Sequence, residues 1–325
     1  MGVVDTLEIL MPGPLTTVQD LGRPGFARYG VPPSGALDSF SLRIANLLVG
    51  NPEEEAGLEV TLMGLKVRAL ADLAIAVTGG DLQPHLNGHP LEMWRSHILK
   101  EGDILSFKGP RSGCRAYLAL GGGISVHPLM RSKSTNLSSR FGGFEGRPLQ
   151  KGDILSSDSP HFHLKYGEGV FSPEWIPRDA GDWLLRVIPG PQQGDFTETA
   201  RGHFLSSVFA VTPQSDRTPI RLAGPAVQRK EGTPESIISE GVIPGVIQVP
   251  GDAQPIIILV ETVTGGYRKI ATVITADLPL LGQVKPGDRV RFQEVSLDEA
   301  CEVLKEQEER IERFKANFNP QQLHK

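Results

Sequence analysis

The chain has 325 residues, 39% of them hydrophobic and 22% charged, with a formal net charge of −5. That length is long for one core and comfortable for two. The acidic balance argues against nucleic acid, whose phosphates need a basic surface. Cys114 and Cys301 are the only cysteines, so neither a disulfide framework nor a zinc-spaced pair is indicated. The start, MGVVDTLEIL, carries Asp5 and Glu8 and lacks the basic and apolar regions of a secretory signal. No apolar run reaches the ~18 residues a membrane span needs. A cytoplasmic protein without membrane or nucleic-acid partners is expected.

In chain order, TTVQDLGRPG (16–25) reads as a Gly/Pro loop presenting Gln19, Asp20 and Arg23. GVPPSGALDSFSLRIANLLVG (30–50) runs a stiff loop into an amphipathic helix. Asp38 is its N-cap, Phe40, Ile44, Leu47 and Leu48 form one apolar stripe, and Gly50 with Asn51-Pro52 ends it. Strands are expected at LEVTL (58–62), LAIAVTG (73–79), ILSF (104–107) and RAYLAL (115–120), then LLRVIPG (184–190), GVIQV (245–249), PIIILVE (255–261) and KIATVIT (269–275). Asn87-Gly88 signals a two-residue hairpin, because both central positions need positive φ. LKEGDILSF (99–107), LQKGDILSS (149–157) and VKPGDRVRF (284–292) share a Lys near a Gly-Asp turn that feeds a strand. A second helix starts at Thr197. A third, SLDEACEVLKEQEERIERF, opens with the Ser296/Glu299 capping box and places Leu297, Cys301, Leu304, Ile311 and Phe314 at helical spacing. That helix suits packing along a barrel or, alternatively, binding a partner.

The short, numerous strands do not alternate with helices and point to barrels or sandwiches. The fold class is mainly β (α+β), with a few helices. The Gly-, Pro- and charge-rich stretch 166–183 marks a boundary. It divides the chain into an N-terminal domain (1–175), a C-terminal domain (176–295) and a helix with a tail (296–325).

Several chemistries are not signalled. There is no Gly-Lys dipeptide for a phosphate loop, no G-x-S-x-G elbow and no Met-Lys biotin-attachment signature. The glycines of LALGGGISV (118–126) lack dinucleotide-loop spacing and read as a tight bend. His85 and His89 flank the Asn87-Gly88 turn, and His161 and His163 lie near the boundary, so no metal is assigned. Two segments suit a ligand. The loop 31–35 meets a helix N-terminus, where amides and the dipole favour an anion the size of a carboxylate or phosphate. ETVTGGYRKIATV (261–273) pairs glycines, which admit a ligand close to the backbone, with Thr and Tyr hydroxyls.

Taken together, TTVQDLGRPGF, GVPPSGALDSFSLRIANLLVGN, VTGGDLQPHLNG, YLALGGGI, SKSTN, GGFEGRPLQKGD, SEGVIPGVIQVPGDAQPI, TGGYRKIATVITADLP and LGQVKPGDRVRF resemble one family. It is the family of the bacterial 5-oxoprolinase C subunit, which also includes the antagonist of the KipI kinase inhibitor, allophanate hydrolase subunit 2 and the carboxyltransferase domain of urea carboxylase. The resemblance implies two related cyclophilin-like β-barrels with a cleft between them.

It also implies the C component of an ATP-dependent 5-oxoprolinase. The partners would be its B component (KipI-like) and its A component (LamB/YcsF-like), and the substrate a small carboxylate or amide. No cofactor is bound covalently, and ATP enters through the complex. A biotin-dependent carboxyltransferase using carboxybiotin on a partner is the rival enzyme, and a non-catalytic antagonist of a KipI-like inhibitor is the non-enzyme alternative.

The family motifs fall on Gln19, Asp20 and Arg23; on Ser34, Gly35 and Asp38, with Asn46 in the helix; on Gln248; and on Thr264, Gly265, Gly266 and Tyr267. No catalytic residue is assigned. Two departures stand out. TGAD of relatives is Thr78-Gly79-Gly80-Asp81 here, and an Asp-Arg-Gln-Thr segment is Glu261-Thr262-Val263-Thr264, which loses a carboxylate-binding Arg.

Overall fold

The structure, a computed structural model, describes residues 3–161, 170–176 and 181–317. His163, parts of the expected boundary (166–169 and 177–180) and the tail from 318 lie outside the described residues. The chain forms two compact units. Unit 1 takes residues up to Arg23, Ser34–Arg178 and the chain from Glu309; unit 2 takes Pro24–Pro33 and Asp179–Glu308.

Unit 1 contains β1 (Val4–Pro12), β2 (Leu15–Gln19), α1 (Ser39–Leu48), β3 (Gly57–Thr61), β4 (Leu65–Ala69), β5 (Leu73–Gly79), β6 (Pro84–Leu86), β7 (His89–Pro90), β8 (Ser96–Leu99), β9 (Ile104–Phe107), β10 (Arg115–Leu120) and β11 (Ile154–Ser157). They form a six-stranded sheet, β11-β1-β4-β9-β6-β7, and a five-stranded sheet, β2-β3-β10-β5-β8. One apolar core joins the two sheets, with Leu7, Ile9, Leu58, Val60, Val67, Ile75, Val77 and Leu118 fully buried.

The alternation along β5 explains how this sheet is covered on both faces. Leu73, Ile75 and Val77 enter the core, while the small Ala74 and Ala76 face α1 and let it approach. Phe40, Ile44, Ala45 and Leu48 of α1 pack there, joined by Trp94, Phe171, Ile311 and Phe314. Asp38 caps the helix through the Ser41 amide at 2.9 Å, and Gly50 leaves it at φ 78° with its amide on the Leu47 carbonyl.

Unit 2 contains β12 (Asp182–Pro189), α2 (Glu198–Ser206), β13 (Phe209–Val211), β14 (Pro219–Ala223), β15 (Glu240–Gly241), β16 (Val246–Val249), β17 (Ile256–Ile258), β18 (Thr264–Gly265), β19 (Arg268–Val273), α3 (Leu278–Leu281) and β20 (Arg289–Glu294). Its strands close a barrel, β12-β19-β16-β17-β14-β13-β20, sealed by a parallel β12–β20 pair. Phe204 of α2 stacks on Phe292 at 4.4 Å, next to Phe209. β15 and β18 form a separate two-stranded ribbon.

The three Gly-Asp turns are one device used three times. The Asp103, Asp153 and Asp288 amides donate to the carbonyls of Lys100, Gln150 and Lys285. Each Asp carboxylate accepts the amide three residues earlier, at 2.8, 2.7 and 3.1 Å. Gly102, Gly152 and Gly287 have φ of 89°, 91° and 91°, the left-handed position such a turn requires. Each glycine amide then bonds a neighbouring carbonyl, of Ala69, Ile9 or Val211.

The last helix, α4 (Leu297–Asn317), starts with the reciprocal Ser296/Glu299 box. Its expected stripe is buried only at the end: Ile311 and Phe314 are in the core, whereas Leu297 is 65% exposed and Cys301 is also exposed. The early turns carry too many charges to bury a face. Lys315 fixes the end on Glu53 at 2.7 Å, beside Arg43. Among the described residues no helix is long and apolar enough to cross a membrane.

These contacts make two outcomes testable. Gly287→Ala meets open space, so its cost is that of the left-handed backbone alone, about 1–2 kcal/mol. Gly202→Ala, in open space inside α2, stabilises by roughly 0.5–1 kcal/mol. Urea midpoints moving in opposite directions check the pair. The second outcome concerns Glu53. Burial pulls its carboxyl up, but Lys315 and Arg43 outweigh burial and hold it below its usual 4.5. A depressed carboxylate contributes stability above its unfolded value and loses it as pH falls through the folded one. Protection of the 309–317 amides from hydrogen exchange, taken relative to their intrinsic rates, therefore falls as pH drops below the usual 4.5 of a glutamate, and Lys315→Ala removes that pH step.

Candidate functional site

The strand-ending Gln19 and the loop after it are buried. Asp20 is 7% exposed and acts as a hub. Its Oδ1 accepts from the Gly22 amide and the Ser132 hydroxyl, both at 2.7 Å, and from the Ser134 hydroxyl. Its Oδ2 accepts the Lys133 amide at 2.5 Å. The Asp20 backbone completes the knot, donating to Ser134 Oγ at 3.0 Å and accepting the Ala36 amide at 2.9 Å. The SKSTN segment, rich in small hydroxylated residues, is thereby tied to two loops far away in sequence.

Arg23 is 1% exposed, reaches the Ser134 carbonyl at 2.5 Å and stacks on Phe141 at 4.9 Å. Gln19 Nε2 donates to Thr17 Oγ1 and the Thr135 carbonyl, whereas its Oε1 is buried without a partner among the described residues. Over this knot run Phe141, Gly142 and Gly143. Gly142 lies so close that a Cβ would sit 2.9 Å from the Arg23 guanidinium. The same three residues help line a pocket of about 470 Å³ with His127, Arg140 and Phe144.

Ser34 and Gly35 take successive left-handed conformations, φ 53° and 92°. For serine this is uncommon. Asn136 Nδ2 donates to Ser34 Oγ at 2.9 Å, leaving the serine's own proton to donate elsewhere. A Cβ on Gly35 would lie 2.8 Å from the Gly22 nitrogen, so only glycine fits. The helix start is less open to an anion than its sequence suggests. The Leu37 amide donates to Glu59 Oε2 at 2.9 Å and the Asp38 amide to Tyr117 Oη at 2.8 Å. Tyr117 in turn donates to Glu59 at 2.7 Å. Burial first, then the nearby Glu59 and Asp38 charges, push the Tyr117 hydroxyl well above its usual range, so it stays a proton donor. Among the first-turn amides, those of Ser39 and Phe40 find no acceptor among the described residues.

Asp38 and Asn46 have internal duties. Asp38 caps α1, and Asn46 Nδ2 ties the helix to the Glu55 carbonyl at 2.6 Å while its Oδ1 accepts from Asn51 at 3.1 Å. His85 and His89 lie opposite Pro90 and Leu86 across the hairpin, so their side chains leave opposite faces.

In unit 2 the other residues gather around the β15–β18 ribbon. Gln248 Nε2 donates to the Tyr267 carbonyl at 3.2 Å, and a Cβ on Gly265 would strike that same amide. Gly266 accepts the Ile237 amide at 2.8 Å, and Tyr267 is 38% exposed. Sequence reasoning missed the charges here. Lys269, buried beside Gln248 in the β16–β19 register, pairs with Glu240, which also accepts from Gln192 at 2.8 Å. It likewise missed Ser132, Ser134 and Asn136 as partners of Asp20 and Ser34. Their hydroxyl-rich SKSTN composition was the available signal.

With this geometry in view, the likenesses are specific. Residues 29–294 match the carboxyltransferase domain family, subdomains A and B. The C subunit of 5-oxoprolinase from Escherichia coli (strain K12) is 38% identical over 95% of this chain and 97% of its own length. That of Haemophilus influenzae is 34% identical over 93% and 95%. The crystal structure of Kluyveromyces lactis urea carboxylase aligns with a TM-score of 0.89 at 33% identity, covering 97% of this chain and 30% of that one. The chain belongs to the carboxyltransferase domain family.

Asp20→Asn replaces an acceptor-only hub by an amide that turns donors toward donors, and loses roughly 2–4 kcal/mol of stability. Ser132→Ala removes one of several donors and loses about 1 kcal/mol. Chemical unfolding of the two variants checks the ranking.

Proposed function

We propose that the chain is the C component of an ATP-dependent 5-oxoprolinase, acting with the KipI-like B and LamB/YcsF-like A components to open 5-oxoproline to glutamate. The observation that carries this reading is the end-to-end likeness to the Escherichia coli 5-oxoprolinase C subunit, 97% of which is covered, against 30% of urea carboxylase. In this reading the ligand is a small carboxylate or amide. Ser34 offers its hydroxyl proton, the Ser39 and Phe40 amides offer N–H groups toward a developing oxyanion, and the Asp20 knot with Arg23 holds that surface in place. Gln248 and Thr264 to Tyr267 are proposed as ligand-contacting groups of unit 2. ATP enters through the complex, and the protein acts in the cytoplasm.

A second reading is a biotin-dependent carboxyltransferase, with carboxybiotin delivered on a partner. It is favoured by the 0.89 TM-score to urea carboxylase.

The test is reconstitution. The B and A components with this chain convert 5-oxoproline to glutamate with ATP consumption, and omitting the chain abolishes turnover. Ser34→Ala, folded by circular dichroism, lowers turnover at least about tenfold, the loss of one oxyanion-type donor. Equal turnover without the chain overturns the reading. Carboxyl transfer from carboxybiotin to urea in place of ring opening selects the second.

A further inference from the structure

We infer that the pocket walled by the β6–β7 hairpin and Trp94 is a separate binding site in unit 1. Its ligand would be a small carboxylate with an apolar body and one N–H or O–H donor. The pocket holds about 470 Å³ and is formed without any residue of the Asp20–Ser34 knot. That volume is ordinary for a small-molecule site. Pro84, Leu91 and Trp94 give it apolar walls, and His85, Lys108 and Arg111 line it with nitrogen.

The polar groups define what fits. His85 is 8% exposed, and its Nδ1 lies 2.9 Å from the Gln83 carbonyl. A carbonyl only accepts, so Nδ1 carries a proton, and in the neutral imidazole Nε2 is the acceptor. No group among the described residues donates to it, so an occupant with an N–H or O–H finds a partner there. The lining carries two acids, Asp81 and Glu92, and two bases, Lys108 and Arg111, and Arg95 from outside it takes up Glu92. Asp81 is held by Arg111 at 2.9 Å, and Glu92 by Arg95 at 2.8 Å. Lys108 has no acidic partner among the described residues, which leaves one positive charge for one carboxylate.

The backbone supports a built site. Gln83 and Trp94 have φ of 53° and 59°, and both line the pocket. For a residue as bulky as tryptophan this is a real outlier, and such strain persists only where surroundings impose it. Here the Trp94 amide is fixed on the Val77 carbonyl at 2.7 Å, and its carbonyl accepts the Phe171 amide at 2.9 Å. The indole stacks on Phe171 at 5.6 Å and packs on Phe40 of α1 at 6.5 Å. An occupant would therefore rest on the aromatic cluster that supports α1.

The experiment titrates the full chain with indole-3-acetate by calorimetry, with the Trp94 indole N–H signal followed by NMR. Expected are saturable binding, a shift of that signal, and about tenfold or greater weakening in Lys108→Ala, an exposed position that leaves folding intact. Naphthalene-1-acetate, which keeps shape and charge but lacks the donor, binds several-fold more weakly, and acetate, which lacks the body, weaker still. The inference is overturned if indole-3-acetate leaves Trp94 unmoved at millimolar concentration. It is equally overturned if Lys108→Ala binds as the wild type does, or if naphthalene-1-acetate or acetate matches it.

Discussion

The Asp20 carboxylate accepts from two backbone amides and two serine hydroxyls in a place almost closed to water. An ionised carboxylate in such surroundings is tolerable only when its lone pairs are matched by donors. Three of those four donors come from a loop more than a hundred residues further along the chain, so one side chain sets the position of both. The consequences spread outward. Ser134 receives the Asp20 amide and lends its carbonyl to Arg23; Arg23 supports Phe141; Asn136, two residues on, holds Ser34. Gly35 can then lie against Gly22 with no room for a methyl group. Ser34, 3% exposed, and Gly35 are thus held inside a buried electrostatic joint. Substitutions at Asp20 or Arg23 would therefore shift Ser34 and Gly35 as well as the 132–136 loop.

Much of this fold was legible locally. β5, β9 and β10 coincide with the runs LAIAVTG, ILSF and RAYLAL, because each is bounded by turn residues and carries a clear two-residue or fully apolar pattern. Asn87 and Gly88 both adopt positive φ, 51° and 86°, as the hairpin signal required. Asp38, Thr197 and the Ser296/Glu299 pair all cap helices, since capping is chemistry within three residues. What could not be read is what depends on distant pairing. β12 and β20 run parallel although a hundred residues separate them, and no local pattern announces which strand closes a barrel. The stripe of α4 misled for a related reason: spacing marks a face, but only neighbours decide how much of it is covered.

The same limit governs the site residues. Short motifs drew attention to Gln19, Asp20, Arg23, Ser34 and Gly35, and the structure brings these together. Their individual tasks came from partners invisible at that scale. The loop before α1 resembled an anion nest because it joins a proline-rich turn to a helix start. Glu59 and Tyr117 from the sheet beneath take up two of its amides, which moves the available donors to the first turn and to the Ser34 hydroxyl. Asn46 looked like a site residue within the same motif, yet its side-chain amide works to close the α1 end against the chain at 51–55.

A distant partner also fixes Glu261, the first residue of the segment that departs from its relatives. Where an Arg would offer a fork to a carboxylate, this chain has Thr262, whose hydroxyl donates to the Thr264 carbonyl at 3.2 Å; Glu261, just before it, is buried and lies 3.4 Å from the equally buried Arg217. Removing either member of that pair would strand a buried charge, so Glu261 belongs to the barrel interior. The neighbouring cations are also engaged, Lys269 by Glu240 and Arg268 by Asp195. Each of these positive charges close to the Thr264–Tyr267 ribbon therefore already faces an internal carboxylate. Residues Thr264–Tyr267 themselves carry no charge: they offer hydroxyl groups and glycine backbone, with the buried Gln248 amide beneath them and the Glu240 carboxylate on the paired strand. Neutral donors and acceptors of that kind match an amide better than a second carboxylate, because an amide needs both a donor and an acceptor and brings no charge to be balanced.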